Sequence, residues 1–392
     1  MEVGIEKTVV FLLFIFLGVL LKIKFKSPEE VNGIKKIILN LALPATIFIA
    51  LLGIEVKANL LFLPLLALLL NALLFLIMPY LFPLTGIKKN TPTYRTARLL
   101  VPSLAPGLSC FPFVLEFLGE PYLAKAAMAD LGNKIFVLIF LYLIAMRWYY
   151  ARQQGSFKAG KKNLLSLLKT LVTEPVNLFI AAALLLLLLG LNMQALPFVI
   201  GETLSKLSLM MTPLVLLFIG LAVKIKRKQF LEIFTLLSMR AGLVFLLSGI
   251  FVSISGLKIQ NDVLLILAFG LSACSFWPYA HICLVDHLEV DKTEKTFNNG
   301  YAISILALSF PLSTILILGV LNSGTFFVRP TPIFLMGLTL VALGVLPSLL
   351  RFCRQKVIRH KGLGPKWVLP QIRFKKLIAT ETLLPPTKDG PQ

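Results

Sequence analysis

The sequence predicts an all-α membrane protein with two inverted five-helix repeats, broken crossover helices 4 and 9, and an eleventh, C-terminal helix. Three observations carry this. Of 392 residues, 57% are hydrophobic and 15% charged, with a mean hydropathy of +0.88, far from the roughly 25% charge of soluble chains. Apolar runs of about 20 residues, the length that crosses a bilayer as a helix, recur along the chain. Two of them are interrupted alike, by Gly107-Leu108-Ser109-Cys110-Phe111-Pro112 and by Gly270-Leu271-Ser272-Ala273-Cys274-Ser275-Phe276-Trp277-Pro278.

Taken in order, the apolar windows place spans near 3–23, 34–54, 58–83, 95–118, 122–147, 172–191, 203–224, 230–255, 262–285, 295–321 and 331–350. The first follows Glu2, Glu6 and Lys7 without a small-residue cleavage site, so it reads as a retained signal anchor. Basic residues gather in alternate loops, at Lys22–Lys36, Lys88–Arg98, Arg147–Lys169 and Lys224–Lys228, whereas the loops between hold Lys57, Lys125, Lys206 and Lys258. Excess positive charge marks the cytoplasmic side. This puts the N-terminus outside a plasma (inner) membrane and, with an eleventh span at 331–350, the basic tail inside. The loop Asp286–Lys295 dissents with four acids, which weigh little in that rule. A net charge of +21 dispersed in this way suits anionic headgroups rather than nucleic acid. Four cysteines without paired spacing indicate neither a disulfide framework nor a metal site, and no cofactor is expected.

The two halves share landmarks. Pro44 to Asn71 is 27 residues, as is Pro213 to Arg240, and Pro112 to Asn133 is 21, as is Pro278 to Asn299. Five spans per copy, an odd number, insert the second copy upside down and bring both broken helices together near the midplane. The organisation is then a first repeat at 1–147, a basic cytoplasmic linker at 148–171, an inverted repeat at 172–321, an extra span at 322–350 and a basic tail at 351–392.

Backbone groups freed by a break cannot face lipid, so they are buried in protein or line a cavity. The second half-helices start near Pro112 and Pro278, and proline suits a first turn because its missing N–H would lack a partner there anyway. Their free N–H groups favour an anion, with Ser109, Cys110, Ser272 and Ser275 alongside. In the fifth span, Asp130, Asn133 and Lys134 lie about 12–18 Å along a helix of 1.5 Å rise, near mid-membrane. Asp130 and Lys134, four apart, share a face. They are either a structural ion pair or a working one, with Lys134 beside an anionic substrate and Asp130 coupling a proton or sodium. Arg240, deep in the eighth span, needs a partner, and Asn71 is its counterpart. Asn298 and Asn299 open the tenth span, either facing the site or capping the helix. His281 and Asp286 point about 140° apart on a helix, no phosphate-cradling loop is present, and no enzyme is expected.

The segment Ser27-Pro-Glu-Glu leading into Leu41-Ala-Leu-Pro44-Ala, the run Thr212-Pro-Leu with Gly220-Leu, Arg240, and Phe297 to Thr314 with Pro311 resemble the auxin efflux carrier family over residues 5–321. In that family's fourth span asparagine usually precedes the crossover proline by seven residues and glycine by two; Ala105 and Cys110 stand there. The resemblance implies a scaffold of spans 1, 2, 6 and 7 and a moving bundle of spans 3–5 and 8–10. The expected function is secondary or facilitative transport of a small organic anion, auxin-like or a dicarboxylate, by alternating access, with Ser109, Cys110, Pro112, Asn133, Lys134, Ser275, Pro278 and Asn299 as substrate-binding residues. A homodimer stays open. The alternatives are a sodium-coupled symporter of bile-acid-carrier type and a non-transporting membrane scaffold or sensor.

Overall fold

A computed structural model describes residues 2–25, 27–53, 60, 62–152, 169, 173–222, 229–289 and 295–360. Most of the basic linker and the tail beyond His360 lie outside these residues. Among the described residues the chain is helical, with no strand. It divides into a unit Met1–Ser348 and a second unit, Leu349–Gln392, described only as the helical residues 349–360.

The first unit begins with α1 (Glu2–Leu21), α2 (Pro28–Ile37), a π-helical turn (Ile38–Ala42) and α3 (Leu43–Leu52), followed by α4 (Leu63–Thr85). Next come α5 (Pro92–Leu100), α6 (Pro106–Ser109), α7 (Phe111–Leu118), α8 (Glu120–Ile135), a second π turn (Phe136–Phe140) and α9 (Leu141–Arg152). After the linker the helices are α10 (Pro175–Leu188), α11 (Phe198–Leu209), α12 (Met211–Ala222), α13 (Phe230–Ser255), α14 (Gln260–Gly270), α15 (Phe276–Leu288) and α16 (Asn299–Leu321), with α17 (Pro330–His360) last.

Among the described residues six helical runs are long and apolar enough to cross a membrane: Glu29–Leu52, Leu63–Thr85, Glu120–Arg152, Phe198–Ala222, Phe230–Ser255 and Asn299–Leu321. Pro175–Leu188, Gln260–Gly270 and Pro330–Leu346 are shorter apolar helices. The polarity pattern is that of a membrane-embedded protein. On α4, Leu69 and Leu76 face outward while Asn71, Leu74 and Met78 are buried, so the outer surface is apolar and a polar side chain is turned inward.

Local chemistry sets the ends. Ser27 and Glu30 form a reciprocal capping box at α2, Thr91 caps α5 and Asn298 caps α16 by accepting the Tyr301 N–H. Gly86, at φ 90°, ends α4 in the left-handed conformation that costs glycine little.

Close helix crossings replace the hydrophobic force that lipid cannot supply. α1 and α12 touch backbone to backbone. A Cβ on Gly220 would collide with the Ile15 carbonyl oxygen and sit 2.8 Å from Gly18 Cα. Gly132 of α8 packs in the same way on Pro64 at the start of α4. Gly220→Val should therefore destabilise the protein by about 1–3 kcal/mol, the usual cost of overpacking. Thermal unfolding in detergent checks this, with Gly319→Ala, whose Cβ meets nothing within 4 Å, as the unchanged control.

Candidate functional site

The first interruption lies a few residues upstream of where the sequence placed it. Val101–Ala105 is non-helical between α5 and α6, and Gly107 falls inside α6. Pro102 and Pro106 account for the shift, since the residue before a proline is pushed out of the helical region. A kink follows at Cys110, φ −129° and ψ −46°, and Pro112 sits in the first turn of α7, as expected for a helix start. The second interruption, Leu271–Ser275, runs between α14 and α15. Ser275 caps α15 by accepting the Trp277 N–H, and Pro278 is the third helical residue.

The two interruptions bond to each other. The Ala105 N–H donates to the Ala273 carbonyl at 2.8 Å. Serines complete the stitching. Ser109 Oγ accepts the Ala273 N–H at 2.9 Å and donates to the Ala105 carbonyl at 2.8 Å, Ser103 Oγ accepts the Ser275 N–H at 3.0 Å, and Ser309 Oγ of α16 accepts the Cys274 N–H at 3.3 Å. Arg240, from α13, donates through Nη2 to the Ser103 carbonyl at 3.2 Å and the Ser272 carbonyl at 2.8 Å, so one guanidinium clamps both breaks. Its Nε has no partner, and no described carboxylate pairs with it.

Asn133 anchors the first break from α8. Its Nδ2 donates to the Leu104 carbonyl at 3.0 Å and to Asp130 Oδ1 at 2.8 Å, while its Oδ1 accepts the Leu104 N–H at 3.3 Å and Asn71 Nδ2 at 3.0 Å. All four hydrogen-bonding positions of this amide are filled. Asn71 therefore meets Asn133, and Arg240 meets the break carbonyls; neither is bonded to the other. Cys110, Ser109 and Ser275 are all buried at the crossing.

Beside it lies a charged cluster. Lys134 Nζ is 3.6 Å from Asp130 Oδ2, 3.4 Å from Glu174 Oε2 and 2.9 Å from Asn177 Oδ1. The same-face pairing of Asp130 and Lys134 is present, but Lys134 is shared between two carboxylates rather than left for a substrate. Glu174 and Asn177, at the start of α10, escaped the sequence reading because they border the linker and resemble an ordinary helix entry. Lys35 escaped it as well, grouped with the basic loop. Its Nζ stands 3.5 Å from the centroid of the Phe276 ring at the start of α15, an attractive cation–π geometry, and no described carboxylate pairs with it.

Asn299 is elsewhere. Its Nδ2 donates to Asp286 Oδ2 at 2.8 Å, and Asp286 also holds Lys295 at 2.8 Å, so Asn299 ties the start of α16 to the end of α15. Asn298 is the cap. His281 faces the interior, bonded through Nε2 to the Val137 carbonyl at 2.9 Å. A cavity of about 140 Å³ lies among Leu66, Leu70, Ala129, Leu247 and Phe269, with Lys125 and Ser248 as its polar members. Lys125 is already bonded to Asp262 at 2.6 Å.

Two variants probe this network. Lys134→Met leaves the buried Asp130 and half-buried Glu174 carboxylates uncompensated and should cost about 3–5 kcal/mol, part of which Lys134→Met with Glu174→Gln recovers, read as a double-mutant cycle in thermal unfolding. Arg240→Met removes the donor to both carbonyls and should lose about 1.5–3 kcal/mol, the range for a charge-assisted hydrogen bond, in the same assay.

No protein-family model and no curated protein matches this chain.

Proposed function

We propose that this chain is a secondary transporter that carries a small organic anion across the membrane by alternating access. The observation that carries the reading is the crossing itself, where two interrupted membrane helices, from residues 92–118 and 260–288, bond break to break. Interrupted helices at membrane depth are tolerated where they serve a binding site. A scaffold gains nothing from them.

Charge supports an anionic cargo. Arg240 lies buried between the breaks with carbonyls as its partners, and Lys35 reaches Phe276 at the head of α15. A buried cation without a carboxylate is costly in a low-dielectric interior, and an anion between these two groups offsets that cost. Ser109, Cys110, Pro112, Ser275 and Pro278 surround the place where it sits. In the conformation described here the serines bond to the opposite break, so the anion enters as the two bundles part. Asn133, Asp130 and Lys134 belong to the coupling apparatus rather than to the anion's own contacts.

The inverted-repeat scheme, 1–147 against 172–321, supplies the motion, one bundle rocking against the other. The resemblance of residues 5–321 to the auxin efflux carrier family agrees with this reading, as does an orientation with the N-terminus outside and the basic tail in the cytoplasm.

Uptake of radiolabelled mono- and dicarboxylates into proteoliposomes tests it, with saturable flux expected for at least one. Lys35→Met should reduce that flux tenfold or more, matching loss of a charge-assisted contact of about 1.5–3 kcal/mol, while leaving thermal unfolding unchanged. Absence of both flux and ligand-induced thermal stabilisation for every anion would overturn the reading.

A further inference from the structure

We infer that Glu174 is the site where a coupling proton binds, and that Lys134, Asp130 and Asn133 relay its presence to the first helix break. The inference deepens the carrier reading and rests on it for its consequence in transport.

The argument starts from charge balance. Around Lys134 Nζ stand Asp130 and Glu174, with side chains 8% and 17% exposed, so two carboxylates share one ammonium and the group carries one excess negative charge. Among the described residues its surroundings supply no second cation. From α8 the facing groups are Asp130, Asn133 and Lys134; from the start of α10, Glu174 and Asn177; from α4, Asn71; from the kink before α7, Cys110. α3, packed against α8 and α10, presents Thr46, whose hydroxyl is bonded to the Ala42 carbonyl, and otherwise apolar side chains. The π turn before it adds Asn40 alone. One proton neutralises the excess.

Geometry chooses between the carboxylates. Asp130 is held as an acceptor, with Oδ1 taking a 2.8 Å hydrogen bond from Asn133 Nδ2, which also donates to Leu104. A donating neighbour favours the ionised form. Glu174 has a weaker hold, an amide donor at 3.4 Å from Asn177 and the ammonium at 3.4 Å. It is also the more exposed of the two and the one bordering the loop, so water delivers the proton there.

The consequence reaches the crossing. With Glu174 ionised, Lys134 is shared. When Glu174 takes a proton from hydronium, one carboxyl O–H bond forms as one hydronium O–H bond breaks to leave water, and Lys134 is left to Asp130 alone. Asp130 is bonded to Asn133, and Asn133 holds both the N–H and the carbonyl of Leu104 within the break. Proton occupancy is thereby read by the segment that Arg240 clamps from the other side. Arg240 carries an unpaired positive charge and the Glu174 centre an unpaired negative one. An anion at the first and a proton at the second neutralise both together, which makes their movement a symport.

The full chain reconstituted in lipid serves for both arms of the test. Infrared difference spectra between acidic and neutral buffer should show the C=O band of a carboxyl shielded from bulk water in the wild type, shifted by carboxyl-13C glutamate and not by carboxyl-13C aspartate, and its loss in Glu174→Gln. In proteoliposomes, an inward gradient of one pH unit should drive about tenfold anion accumulation by the wild type and none above the gradient-free level by Glu174→Gln, with Glu174→Asp restoring part of it. Gradient-driven accumulation persisting in Glu174→Gln would overturn the inference and leave the carrier reading intact. A band lost in Glu174→Gln with no uptake by any variant would keep the proton site and remove the carrier reading. A band that shifts with labelled aspartate and not with labelled glutamate would place the proton on the wrong carboxylate and sink the proposal.

Discussion

Everything at the centre of this protein follows from the requirement that backbone groups freed inside a membrane find partners within the chain. A lone buried N–H or carbonyl costs about 1–3 kcal/mol, and two breaks of five residues each would together exceed the margin by which proteins stay folded, about 5–15 kcal/mol. The chain solves this by making each break the other's partner. Ala105 bonds to Ala273 directly. Further groups of the breaks go to Ser103, Ser109, Ser309, Asn133 and Arg240. Serine suits the task because a short hydroxyl both donates and accepts, and Ser109 does both, reaching Ala105 on its own segment and Ala273 on the other.

Arg240 serves both breaks from a single nitrogen. Its Nη2 lies within bonding distance of carbonyls from two separate segments, and its charge stays on in a site where an ammonium would tend to lose its proton. The clamp fixes the relative position of the breaks while leaving Nε without a partner. In the proposed carrier, a group that is both a structural tie and an uncompensated charge is one on which the anion and the closure of the crossing depend together.

Much of this was legible in the residues. Helical spans followed from hydropathy, and the interruptions from glycine, serine and proline where leucine would ordinarily stand. The pairing of Asp130 with Lys134 followed from their spacing. What the sequence concealed has physical reasons. The first break sits at Val101–Ala105 because Pro102 and Pro106 outweigh the more conspicuous Gly107 and Pro112, the latter being a helix start. Glu174 was hidden because its partner lies 40 residues away in sequence, and periodicity reports only on neighbours within one helix. Lys35 was hidden by composition. It sits among lysines that mark the cytoplasmic side, and nothing in its own helix indicates that it alone folds over Phe276. Asn299, in register with Asn133 across the two halves, was misleading for the converse reason: equal spacing gives equal positions along the chain but not equal partners, and Asn299 bonds to Asp286.

The two charge centres flank one short stretch of backbone, and that placement removes their independence. Ser103 gives its carbonyl to Arg240, and the next residue, Leu104, gives both of its backbone groups to Asn133. Any displacement that draws Ser103 toward Arg240 pulls on Leu104, and through Asn133 on Asp130 and the shared ammonium. Packed interiors have discrete arrangements rather than continuous ones, so the stretch cannot relax at one end while holding at the other. If both act as the binding sites proposed, two sites joined through a single connector, each short of one opposite charge, are coupled in free energy in both directions by the same amount. On the proposed reading, coupling runs through five successive contacts from Arg240 to Glu174 rather than along a long path through the protein.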